Sequence, residues 1–144
     1  MHENEIGSII LDVAVAMHRE LGPGLLESVY EAVLARALER RGLRVQRQVA
    51  VPIRYQDLQF DEGFRADLIV EAKVILELKS VETVSRAHKK QVQTYLRLTG
   101  LKLGYLLNFG NELMRDGSTR AVNGLESDPY SSPTPLRAPA PPRE

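Results

Sequence analysis

Cysteine is absent from the 144 residues, so disulfides and thiolate metal sites are excluded and the chain fits a reducing compartment. Net charge is absent too, because 19 Lys and Arg balance 19 Asp and Glu. There is thus no global basic field of the kind that non-specific nucleic-acid binders use to gather phosphates. Any nucleic-acid contact must come from a local patch or a bound metal. No apolar run approaches the roughly 18 residues that a membrane span needs. The opening MHENEIG is acidic where a secretory signal would be basic. These absences lead to the expectation of a soluble, cytoplasmic protein with no membrane partner. There is no internal repeat.

What is present is ordinary globular material. A hydrophobic share of 43% and a charged share of 26% suit one domain with a real core. Ile6, Ile9, Ile10, Val13, Met17 and Leu21 recur at helical spacing and predict a helix over about residues 5–20, stopped by Gly22-Pro23-Gly24. A second helix is predicted over about residues 25–41. Its core stripe would be Leu26, Val29, Tyr30, Val33, Leu34, Ala37 and Leu38, with Glu27 at the stripe's edge. Period-two alternation predicts a strand over about residues 44–55, followed by strands at about 59–70 and 74–81.

A third helix is predicted over about residues 85–99, with Ala87, Gln91, Val92, Tyr95 and Leu98 on one side and Lys89, Lys90, Gln93 and Arg97 on the other. The apolar run at 103–109 reads as a buried strand, parallel to a strand of the meander because a helix precedes it. Asp116-Gly117 is a hairpin-turn dipeptide, with residues 113–115 and 119–123 as short edge strands. The domain is expected to span residues 1–124. The Pro- and Ser-rich stretch at 125–144 cannot bury enough apolar surface and is expected to be disordered.

One stretch, RADLIVEAKVILELK at 65–79, carries charge where a structural strand would carry apolar side chains. Alternation puts Ile75, Glu77 and Lys79 on one face and Val74, Leu76 and Leu78 on the other. If residues 71–73 form a turn, Asp67 and Glu77 converge at one end of the sheet with Lys79 beside them. Buried carboxylates need partners, and a divalent cation is one natural choice. Glu71-Ala72-Lys73 repeats the acid-x-lysine pattern but falls on the turn, whereas Glu77-Leu78-Lys79 interrupts an apolar run.

The order of helix, three antiparallel strands, helix and strand, with Asp67 on the second strand and Glu77-Leu78-Lys79 on the third, resembles the PD-(D/E)XK nuclease superfamily. Gly24-Leu25-Leu26-Glu27-Ser28-Val29-Tyr30 resembles the signature of the GxxExxY protein family, which is grouped with these nucleases. Gln91-Val92-Gln93-Thr94-Tyr95 is similar to the QxxxY motif of the RecB-like branch. The resemblance implies an α/β (α+β) fold with a restriction-endonuclease-like core, in the order ααβββαβ plus a short C-terminal hairpin.

It further implies a Mg²⁺-dependent phosphodiester hydrolase acting on DNA or RNA, with Mn²⁺ able to substitute. Glu27, Asp67 and Glu77 would be the metal ligands, and Lys79 would act on the attacking water or the phosphate. Gln91 and Tyr95 would hold the site or the nucleic-acid backbone, with His88 near them. The oligomeric state stays open, a homodimer being one way to engage two strands.

Each residue also has a simpler reading. Glu77 with Lys79, or Asp67 with Arg65, would be plain ion pairs. Glu27 would be a solvated helix residue, Gln91 a core amide and Tyr95 core packing, with His18 and His88 structural. The basic residues Arg36, Arg40, Arg41, Arg44, Lys89, Lys90 and Arg97 would be solvated helix faces. The corresponding functional alternative is a nucleic-acid- or protein-binding module that keeps the fold without turnover.

Overall fold

The computed structural model describes residues 1–126, so most of the expected tail lies outside the described residues. Two helices come first, α1 (Glu3–Leu21) and α2 (Glu27–Arg40). They are followed by β1 (Val45–Tyr55), β2 (Leu58–Val70), β3 (Val74–Lys79), α3 (Arg86–Thr99), β4 (Leu103–Asn108), a single helical turn α4 (Met114–Gly117), and β5 (Ser118–Val122). The five strands form one mixed sheet in the order β1-β2-β3-β4-β5. β1, β2 and β3 are antiparallel neighbours, and α3 carries the chain across to β4, which lies parallel to β3. This is the expected α+β architecture, a mixed sheet flanked by helices.

The sheet is covered on both faces. Ile6, Ile10, Val13 and Met17 of α1 and Tyr30, Leu34 and Leu38 of α2 pack on Leu68, Val70, Val74, Leu76 and Leu78. On the other face, Val92, Tyr95 and Leu96 of α3 pack on Ala66, Ile69, Ile75 and Leu106. A strand buried on both faces must be apolar throughout, and β3 and β4 are nearly so. Glu77 in β3 and Asn108 in β4 are the buried exceptions.

Several expectations are corrected. In α2 the buried stripe is Tyr30, Glu31, Leu34, Ala35 and Leu38, while Leu26 and Val29 are exposed. The buried stripe includes Glu31, whose carboxylate bonds Arg47 and Gln48 of β1. In α3, Ala87, Gln91 and Leu98 are exposed and the buried face is Val92, Tyr95 and Leu96. The C-terminal hairpin is built differently: residues 113–115 form no strand. β5 pairs antiparallel with β4, with Leu106 opposite Thr119 and Leu107 opposite Ser118. The helical turn buries Met114 and brings Gly117 so close to β4 that a Cβ there would lie 2.3 Å from the Asn108 carbonyl oxygen.

The β2–β3 turn confirms residues 71–73 as a hairpin connection. Glu71 and Ala72 both have φ of 54°, and the Lys73 N–H donates to the Val70 carbonyl at 3.0 Å. Consecutive left-handed residues are the signature of a type I′ turn and are disfavoured for side chains with a Cβ. Ala72→Gly is therefore expected to stabilise the protein by about 1 kcal/mol. Chemical denaturation measures it, and an unchanged or lower midpoint would contradict the turn assignment.

Candidate active site

The site begins where β2 and β3 part. Their ladder holds three pairs, Val70–Val74, Ile69–Ile75 and Leu68–Leu76, and goes no further. At the next position each carboxylate takes over a ladder bond. The Leu78 N–H donates to Asp67 Oδ2 at 2.8 Å, and the Asp67 N–H donates to Glu77 Oε1 at 3.3 Å. Two acidic side chains thus fill the fork, each bonded to the opposite strand.

The fork has a cause in β1. The β1–β2 ladder pairs Arg47 with Leu68 and Val49 with Ala66 but skips Gln48 and Asp67 between them. Gln48 has φ of 50°, a conformation that costs a residue with a side chain about 1–3 kcal/mol in mid-strand. In an unbroken strand Val45 and Val49 would share a face, as would Ala66 and Leu68. Here Val45 and Leu68 pack under α1 and α2, whereas Val49 and Ala66 pack under α3. Both strands exchange faces at the Gln48–Asp67 step, which is how Asp67 leaves the ladder.

From the helical side, α2 brings two more carboxylates. Gly24 at φ of 102° turns the chain into the helix, a conformation open to glycine. The fully buried Tyr30 staples this entry: its hydroxyl donates to the Gly22 carbonyl at 2.5 Å and accepts from the Leu25 N–H at 3.1 Å. Its ring stacks on Phe109 at 4.4 Å. Glu27, the first helical residue, then reaches the sheet, where its Oε2 accepts from the Ser80 N–H at 3.1 Å. Ser80 Oγ returns a bond to the Leu25 carbonyl at 2.6 Å. Gly24, Glu27 and Tyr30 therefore act as one device for docking the start of α2 on the end of β3.

Tyr30→Phe leaves the Leu25 N–H and Gly22 carbonyl without this partner and is expected to cost about 1–3 kcal/mol. Thermal unfolding measures the loss, and a variant as stable as the parent would remove the staple from the argument.

Glu31, one turn after Glu27, is buried. Its Oε2 pairs with Arg47 at 3.1 Å, and its Oε1 accepts from Gln48 Nε2 at 2.5 Å. The same Gln48 nitrogen lies 3.3 Å from Asp67 Oδ1. Glu27, Ser28, Glu31, Gln48, Asp67 and Leu78 line a cavity of about 360 Å³. Neither Glu31 nor Gln48 was a site candidate from sequence. Glu31 had one available signal, its position four residues after Glu27 on the same helix face.

The fork is electrostatically loaded. Burial pushes the Asp67 carboxyl above its usual range, with Glu31 and Glu27 adding to the rise and the Leu78 N–H opposing it. Glu77 is pushed up to about 8, chiefly by burial and then by Asp67. The Asp67 N–H and Lys79 pull it back, while Glu27 adds to the rise. Tyr95 is raised by burial and by Glu77 and Asp67. Its ring stacks on Phe64 with centroids 3.7 Å apart.

Glu27, Asp67, Glu77, Lys79 and Tyr95 thus share one electrostatic neighbourhood at the end of β3. Lys79 is half-buried and enters no ion pair among the described residues, so the simple Glu77–Lys79 pair is not formed. Nor is the Asp67–Arg65 pair, since Arg65 bonds Glu62 and the Gln48 carbonyl. Gln91 stands apart: it is exposed and makes no side-chain hydrogen bond among the described residues, so it is not a core amide. Tyr95 does pack in the core, as its simpler reading expects.

His18 is structural, buried with Nε2 3.0 Å from the Phe109 carbonyl oxygen. His88 caps α3, its Nδ1 lying 3.4 Å from the Ser85 nitrogen. The second acid-x-lysine is spent on the turn, where Glu71 accepts from the Arg44 N–H at 2.7 Å and Lys73 donates to the Met1 carbonyl.

Among the described residues no three carboxylate or imidazole side chains are already arranged as a metal cage. The chemistry of the donors nonetheless fits a hard divalent cation: they are all oxygens, Glu77 is buried and Asp67 partly so while Glu27 is exposed as a solvated helix residue would be, and burial together with the neighbouring carboxylates raises Asp67 and Glu77.

A mixed sheet flanked by helices, with an Asp and a Glu-x-Lys meeting where two strands part, is the arrangement of a restriction-endonuclease-like domain. The model of the PD-(D/E)XK nuclease superfamily matches residues 4–121, and the chain belongs to that superfamily. Comparison with curated proteins and with solved structures produced no match.

Proposed function

We propose that the protein is a metal-dependent nuclease that hydrolyses phosphodiester bonds in DNA, with RNA as the alternative substrate. Within the superfamily we assign it to the GxxExxY group on Gly24, Glu27 and Tyr30. The observation that carries the reading is the fork itself. Asp67 and Glu77 leave a buried ladder, Glu27 from α2 bonds the Ser80 N–H just past the end of β3 and acts on both through its charge, and Lys79 adjoins them without an ion-pair partner among the described residues.

In this reading Glu27, Asp67 and Glu77 hold Mg²⁺, or Mn²⁺ in its place. Such an ion, when bound, supplies Lewis acidity and makes water a stronger acid. Lys79 orients or deprotonates the attacking water, or neutralises charge developing on the phosphate. Arg47, Glu31 and Gln48 act as positioning residues that fix the Asp67 carboxylate. Tyr95 and Phe64 close the α3 side against water, and Gln91, exposed one turn earlier, contacts the nucleic-acid backbone. A homodimer would let two such sites engage two strands.

Purified protein incubated with single- and double-stranded DNA and RNA is expected to cleave with Mg²⁺ or Mn²⁺ and to stop in EDTA. A second reading, a binding module without turnover, is favoured by one observation: Asp67 and Glu77 already bond backbone N–H groups and form no complete cage. Salt-dependent binding that persists in EDTA, with no cleavage under any metal, would select it.

A further inference from the structure

The chain has two basic clusters, and the fold treats them differently. Arg36, Arg40 and Arg41 border a cleft between α1 and α2 that also contains Asp12 and Glu20, and Arg44 is paired with Glu71. That cluster is interleaved with acids. The cluster on α3 is not: its 14 residues include Arg86, Lys89, Lys90 and Arg97 and no acidic residue.

At 100° per residue, Arg86, Lys90 and Arg97 fall within about 40° of one another, with Lys89 about 60° to the side. Arg86, Lys90 and Arg97 lie about 120–180° from the buried Val92 and Tyr95, while Lys89 is on the flank of the stripe, on the side of the buried Leu96. All four cations are exposed, and none enters an ion pair among the described residues. The single side-chain bond among them is from Arg97 to Thr94 on the same helix.

Such a stripe weakens its own helix. Arg86 and Lys90 are like charges one turn apart, and Arg86 opposes the helix dipole in the first turn. A purely solvated face gains nothing from that arrangement. Its location is informative as well. α3 begins seven residues after Lys79 and crosses over to a parallel strand, so it starts at the sheet end where Glu77 and Lys79 finish β3. In a chain of zero net charge, this is a basic helix face with no acid of its own, starting near an acidic site; the nearest acid in sequence is the exposed Glu82 before the helix.

We infer that the outer face of α3 binds the phosphodiester backbone of a nucleic-acid strand, through Arg86, Lys89, Lys90 and Arg97. This rests on the reading of the protein as one that acts on nucleic acid. The occupant is a polyphosphate strand recognised by charge, and the bases are not read by these side chains.

The test is fluorescence anisotropy of labelled single-stranded DNA, single-stranded RNA and duplex DNA in EDTA, at several salt concentrations. Lys89→Gln with Lys90→Gln removes like charges from a helix, so the fold is expected to survive, as circular dichroism will verify. The double variant is expected to bind at least one of the three nucleic acids about tenfold more weakly. The slope of log K against log salt should fall by roughly one to two units. Arg36→Gln with Arg40→Gln is the control and should change affinity less than about twofold, as interleaved charges would. Unaltered affinity and slope in the α3 variant, equal weakening by the control, or a parent protein that binds none of the three would overturn the inference. Because no metal is present, the result is independent of turnover. A parent that binds through α3 yet never cleaves would sink the nuclease reading and leave this surface standing.

Discussion

Alanine at Asp67 or at Lys79 is expected to lower phosphodiester cleavage by about 10²–10⁴-fold while leaving a folded protein. The two losses have different origins. Asp67 carries one of the two carboxylates in the fork and is held from both sides, by the Leu78 N–H at 2.8 Å and by Gln48 at 3.3 Å. Its removal takes away a proposed cation ligand and one source of the field on Glu77. Lys79 makes no ion pair among the described residues, so its replacement sacrifices little stability. A large drop in rate would then be a statement about chemistry.

Lys79→Arg separates its two proposed roles. Arginine keeps the charge but does not deprotonate in proteins, so retention of much of the rate assigns Lys79 to charge neutralisation. Loss comparable to alanine assigns it to proton transfer. Steady-state cleavage with Mg²⁺, following the single variants beside the parent preparation, measures all of this. Unchanged cleavage in both alanine variants would trace the activity to a contaminant.

Much of the candidate site was legible in the chain because its signals are local. Glu77 and Lys79 interrupt an apolar run, and Glu27 sits three residues after Gly24 and three before Tyr30 in a recognisable pattern. What escaped is non-local. The period-two alternation over β1 gives no hint that Gln48 adopts a left-handed conformation, since the partners its side chain meets there, Glu31 and Asp67, lie on a helix and on another strand. In α2 likewise, Glu31 stands in place of Val29 in the buried stripe predicted by helical spacing. At the C-terminus, Asp116-Gly117 carries a true turn preference, but the open edge of β4 offers β5 a longer partner than residues 113–115 would. Gln91 shows the reverse limit: one helical turn from Tyr95, it shares a sequence motif with that residue but not its burial. A motif on a helix specifies angle, and packing decides depth.

In the metal-free protein, stability is expected to fall as pH rises from about 5 to about 8.5, and Glu77→Gln should abolish most of that fall. The Glu77 carboxyl is pushed up to about 8 in the fold, against an ordinary value of 4.5. Between these values the folded protein holds a proton that the unfolded chain has released, so raising the pH favours unfolding. The stabilisation is fully present below the unfolded value and is lost as pH climbs through the folded one. At about 1.4 kcal/mol per unit, the whole window is of order 4 kcal/mol, and Asp67, raised in the same direction, adds to it. Glutamine keeps the oxygen that accepts from the Asp67 N–H and carries no charge to bury. Above pH 8 the variant should therefore be the more stable protein, although its cleavage is expected to collapse. Mg²⁺ provides the complementary arm: a cation competes with the proton for the same oxygens, so its stabilisation of the parent should grow with pH and largely vanish in Glu77→Gln. Urea denaturation from pH 5 to pH 9, with EDTA or with Mg²⁺, reads both effects. A parent whose metal-free stability holds steady or rises over that range would mean that Glu77 is already ionised in the fold. The fork would then be an ordinary satisfied carboxylate pair rather than a site waiting for a cation.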